Sequence, residues 1–135
     1  MIPRPLAAAG ALLAVSTICG CASVGDRSDA ATAVAVRLSQ AVDAHDGAAA
    51  CAALAPSAAD EVQQSAGKPC EQAILDENLP KPAAVVGTSV YGQWAQVRLA
   101  DDTIFLGMFP GGWRVMAAGC TARGDRPYDC LVQGD

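Results

Sequence analysis

Apolar positions along this chain form three kinds of pattern, and each predicts a different element. Leu6 to Ile18 is an unbroken run of thirteen residues without charge, behind Arg4. From Val34 onward apolar residues recur at steps of three and four, through Leu38, Ala41, Val42 and His45, while Arg37, Gln40 and Asp43 fall away from the stripe. That spacing predicts a helix over about 30–45, capped by Ser28 or Asp29. Asp46-Gly47 breaks it, and Asp46 can cap a second short helix through "GAAACAALA", stopped by Pro56. A third helix is expected from Ser57 to about Ser65. After Gly67 and Pro69, "CEQAILDEN" makes one or two further turns before Pro80 and Pro82.

Past Pro82 the period changes to two. "AAVVGTSVYG" and "QWAQVRLA" alternate and are β-branched, Asp101-Asp102 has the character of a hairpin turn, and "TIFLGMF" is apolar on both faces, as a strand buried on both sides would be. Pro110-Gly111-Gly112 signals another turn, and "WRVMAAG" reads as a fourth strand. Helices followed by an antiparallel meander predict an α+β domain, with the N-terminal helices packed on one face of a curved sheet of about four strands.

The first apolar run is too short for a bilayer-spanning helix, which needs about 20 residues, and has the length of a secretory signal's core. Its end, Ile18-Cys19-Gly20-Cys21, resembles a bacterial lipobox: aliphatic, small, Gly, then Cys. That resemblance implies cleavage before Cys21 and a diacylglycerol on its sulfur. Residues 1–20 are then a lipoprotein signal peptide, 21–29 a short polar tether, and 30–135 a single domain. The tether's eight residues Ala22 to Asp29 would reach about 27 Å at most. Ordinary cleavage after Ala22, giving a secreted protein without lipid, is the competing expectation.

Composition narrows the partners. Nine basic residues stand against fourteen acidic ones, a formal net charge of −5, with no basic stripe and few aromatics. Nucleic-acid binding is disfavoured, and the lipid rather than net charge would hold the chain at a membrane.

If Cys19 is discarded and Cys21 lipidated, Cys51, Cys70, Cys120 and Cys130 remain, an even set that implies disulfides in an exported chain. Of three pairings the two local ones are expected. Cys51 and Cys70 lie in helical segments that a turn can bring face to face, and Cys120 and Cys130 flank the loop "TARGDRPYD". A zinc site would want closely spaced cysteine pairs, and the chain has one histidine.

Two resemblances add to this reading. The order of elements from about Asp29 to Gly119 resembles the cone-shaped nuclear-transport-factor-2-like fold, with "DAHDGAAACAALAP" at its first helix junction. "AAAC" with "LAP", then "GKPC", "GWRV" with "AAGC", and "PYDC" resemble small actinomycete-type lipoproteins, at Ala48–Cys51 and Leu54–Pro56, Gly67–Cys70, Gly112–Cys120 and Pro127–Cys130. This second likeness implies an exported, disulfide-bonded lipoprotein and brings no activity with it.

Other candidate chemistry is thin. His45 beside Asp46 suggests a catalytic pair, against the simpler reading of an imidazole at a helix C-terminus. Arg123-Gly124-Asp125 is an adhesion tripeptide in a loop whose composition suits a solvated turn anyway. Tyr91, Trp94, Phe105, Phe109 and Trp113 could line a pocket in the cone's mouth, or fill the core of a small domain. The expectation is a lipid-anchored protein on the extracytoplasmic face of the cell membrane, a binding or interaction module for an envelope protein or a small apolar ligand. It needs no cofactor, and a small-pocket enzyme is the alternative.

Overall fold

The computed structural model describes residues 22–135. The expected signal peptide, lipobox and lipidation site Cys21 lie outside the described residues. Helix α1 spans Val24–Asp43, α2 Gly47–Ala53, α3 Pro56–Ala66 and α4 Cys70–Ala73, which runs on as a 3-10 turn through Asp76. Strands β1 (Val85–Tyr91), β2 (Trp94–Leu99), β3 (Thr103–Phe109), β4 (Gly112–Arg123) and β5 (Arg126–Gln133) follow. They form one antiparallel meander in sequence order. The α+β class and the order of helices before strands are as the sequence led one to expect.

Helix α1 starts six residues before the expected position near 30. Ser23 accepts a hydrogen bond from the Asp26 amide at 3.1 Å, and the Asp26 carboxylate takes the Ser23 amide at 3.1 Å in return. This reciprocal box satisfies two of the amide donors a helix start leaves open. Most of the expected tether is therefore the first turns of α1. The helix ends at Asp43, and its terminus is closed by His45 in the left-handed conformation, φ 57°. The His45 amide bonds the Val42 carbonyl at 3.0 Å and the Asp46 amide bonds that of Ala41 at 2.8 Å, a Schellman arrangement with histidine where glycine is usual. As expected, the helix breaks before Gly47, and Gly47 opens α2. A Cβ there would lie 1.8 Å from the Glu71 carbonyl oxygen, so α2 and α4 approach as closely as only glycine permits. Asp46 caps α2 as expected, through the Ala49 amide at 3.0 Å.

The helices cover one face of the sheet. Leu38, Leu54, Ile74, Val97, Ile104, Leu106, Val115 and Val132 are fully buried between the layers. An extra residue at Met116, where Phe105 pairs with Ala117 but Leu106 with Val115, frees the Val115 carbonyl to accept the Ala55 amide at 2.8 Å. This bulge joins the α2–α3 junction to the sheet.

The sheet differs from expectation in two ways. It has five strands, because the loop expected between Cys120 and Cys130 is a hairpin: β4 continues to Arg123 and β5 starts at Arg126. β3 is covered on one side only. Ile104 and Leu106 face the helices, while Phe105 and Phe109 are half-buried on the outer face.

Candidate functional site

The outer face becomes a site because the β4–β5 hairpin curls over it. β4, with twelve residues, outruns the seven-residue β3. Where β3 gives out, Asp102 replaces the missing backbone acceptors. Its carboxylate accepts the Gly119 amide at 3.2 Å and the Cys120 amide at 2.9 Å. Gly119 itself holds φ 65° with the Leu131 side chain against its α-carbon, so a Cβ would lie 2.8 Å from Leu131 Cδ1. Burial raises the Asp102 carboxyl above the ordinary carboxylate range, and the three backbone amides of Cys120, Gly119 and Thr103 pull it back down.

Beyond this bend the hairpin returns toward β2. Three strand spacings separate β5 from β2 in a flat sheet, about 14 Å. Yet the Gln96 amide lies 3.3 Å from the Tyr128 hydroxyl, and the Tyr128 ring meets Phe105 edge-on at 5.0 Å between centroids. Between the curled hairpin and the sheet lies a groove of about 390 Å³, lined chiefly by Trp94, Phe105, Met116, Pro127, Tyr128 and Gln133. Cys120 and Cys130 face each other across β4 and β5 and are bonded, closing the base of the hairpin. Cys51 and Cys70 are bonded as well, across α2 and α4. Both expected pairings are present.

A second cleft, of about 430 Å³, lies where α1 begins. Ala22, Arg27, Arg37, Met108, Gly112 and Trp113 are among its walls. The Trp113 ring is only 6% exposed, its Nε1 is buried without a partner among the described residues, and the Arg27 guanidinium sits 5.5 Å from its centroid. Arg27 also donates to the Gly92 carbonyl in the β1–β2 turn.

The remaining expected residues are scattered. His45 is exposed on its cap, and Asp46 turns its carboxylate to α2, so the structure does not assemble them as a catalytic pair. Arg123-Gly124-Asp125 is exposed at the β4–β5 turn. The five aromatics split: Trp113 is core, Phe105 and Phe109 are half-buried outside, and Tyr91 and Trp94 are 64% and 58% exposed. Sequence reasoning missed Asp102, Gln96 and Met116. Asp102 carried a signal as an acid in a turn, but its partners lie seventeen and eighteen residues away, beyond any local pattern. Among the described residues no cluster of three His, Cys, Asp or Glu is placed to hold a metal, and no helix is long and apolar enough to cross a membrane.

The chain matches no family model, no curated protein and no solved structure at a significant level.

Proposed function

We propose that the chain is exported, lipidated on Cys21 and held on the extracytoplasmic face of the cell membrane. There it works as a binding module whose contact surface is the outer face of the sheet. The observation that carries the binding reading is the groove itself. The helices bury most of one face, while aromatic and thioether side chains on the other lie open beside a curled hairpin. An apolar surface left open in this way marks a contact site for an apolar ligand or a protein segment. Asp102, the half-buried carboxylate, is turned to backbone amides and lines none of the grooves described above, so it supports binding over the alternative of a small-pocket enzyme. Helices before a bulged, curling antiparallel sheet support the finer reading of a shortened nuclear-transport-factor-2-like cone.

Two experiments test the two halves. Cells making the wild type should hold it in the membrane fraction and label it with a fatty-acid precursor, whereas Cys21→Ser should be unlabelled and either released or unprocessed. Equal labelling of both would remove the lipid. Separately, an apolar fluorescent probe should bind the wild type and lose affinity in Met116→Lys. Equal affinity for both would take the groove out of the proposal.

A further inference from the structure

In a meander the β1–β2 and β3–β4 turns lie at the same end of the sheet, and here α1 begins at that end. Arg27 reaches the Gly92 carbonyl of the first turn, and Ala22 shares a cleft with Gly111 and Gly112 of the second. Three of the large apolar side chains most exposed in the domain gather there: Val24, 70% exposed in the first turn of α1, and the directly paired Tyr91 and Trp94. Tyrosine and tryptophan are the side chains that favour a membrane–water interface, each with an apolar ring and a polar tip. Arg27, already held by the Gly92 carbonyl and the Trp113 ring, lines the cleft at this end together with Asp26 and Arg37, so the apolar side chains rather than a charge carry the contact.

Ala22 lies at this same end, and Cys21 is the residue before it in the sequence. Only Ala22 and Ser23 separate Cys21 from Val24, at most about 10 Å of extended chain, and Ser23 is already fixed as the α1 cap. We infer that this end of the domain, with Tyr91, Trp94 and Val24 foremost, seats in the interfacial layer of a phospholipid bilayer. The domain lies on the membrane and does not hang from it. The inference rests on the lipidation proposed above, since the anchor on Cys21 is what holds this end within reach. Seated so, the outer groove opens sideways along the bilayer, with Trp94 at its membrane edge.

The test uses the full-length protein extracted from membranes and reconstituted into phosphatidylcholine–phosphatidylglycerol vesicles, with and without brominated acyl chains. The two tryptophans are separated by comparing the wild type with Trp94→Phe. The Trp94 contribution should shift to the blue and be quenched by brominated lipid, while the Trp113 contribution should change little. An intact mass on the same sample reads the lipid. Lipidated protein whose Trp94 stays unquenched overturns the seating and leaves the anchor standing. A mass without lipid overturns the anchor and the seating with it. Unquenched Trp94 together with cross-linking through residues 91–94 would assign this end to a second copy of the chain or to another protein. Tyr91→Ser/Trp94→Ser, still lipidated, should lose the protection of its 91–94, Phe109 and Gly111 amides from hydrogen exchange that vesicles give the wild type.

Discussion

His45 is the residue at which local chemistry and fold disagree most openly. A non-glycine residue in the left-handed region costs about 1–2 kcal/mol, and His45 holds φ 57° to close α1. His45→Gly should therefore raise stability by about 1 kcal/mol, read as a higher melting temperature. Asp102 works the other way, relieving a local defect. Asp102→Ala leaves the Gly119 and Cys120 amides without their acceptor and should cost about 1–3 kcal/mol, and Asp102→Asn, which keeps one acceptor oxygen, less. Its pH behaviour has a definite sign. Burial raises the folded carboxyl above its unfolded value, so the folded chain binds the proton more tightly. The group's contribution to stability is complete below the ordinary carboxylate value and declines as pH rises through the raised one. Denaturation measured across the acid range should differ between the wild type and Asp102→Asn by that slope. The shares of Glu77, raised likewise by burial, and of Asp26, lowered by its bond to Ser23, are common to both. The start of α1 was legible in principle. Ser23 and Asp26 carry the capping-box spacing, but Gly25 and the run of polar residues around them masked it as a tether.

At the scale of elements, the sequence was readable wherever an element's reason is local. A period of three to four gave α1, caps and breakers bounded α2 to α4, alternation gave β1 and β2, and turn signals set off the apolar β3 and β4. The β4–β5 hairpin was not legible, because "TARGDRPYDCLVQ" has little apolar alternation. Its strands are ordered by pairing across the hairpin, the Cys120–Cys130 bond and the Tyr128–Phe105 contact. Replacing both Cys120 and Cys130 by serine should lower stability by about 3 kcal/mol in the loop-entropy model, with the fold surviving at low temperature. It should also loosen Tyr128 over Phe105 and weaken probe binding in the groove. Asp125→Ala in the exposed turn should change stability by no more than about 0.5 kcal/mol. Gly47→Ala tests the close approach of α2 to α4. A backbone oxygen 1.8 Å from the new Cβ cannot rotate aside, so overpacking should cost at least about 1–3 kcal/mol. Thermal melting of the three variants side by side checks the order.

The whole molecule joins two covalent facts to one surface. The bridges brace a small two-layer domain, which buries a limited fraction of its surface and gains from each staple. The anchor proposed at Cys21 would set this domain against a bilayer by the end where Tyr91 and Trp94 are exposed, leaving the outer groove accessible from the side. The groove itself could not be read from sequence. Its walls come from β2, β3, β4 and β5 and meet only because Gly119 bends one strand, while the aromatics that suggested a pocket proved to belong to three different environments. The most direct measurement is the intact mass of the full-length chain extracted from membranes under non-reducing conditions. It should correspond to a chain starting at Cys21, carrying a diacylglyceryl group and lighter by the hydrogens of two disulfides. A mass starting at Ser23 without lipid, or one retaining Met1 to Gly20, would contradict the anchored reading.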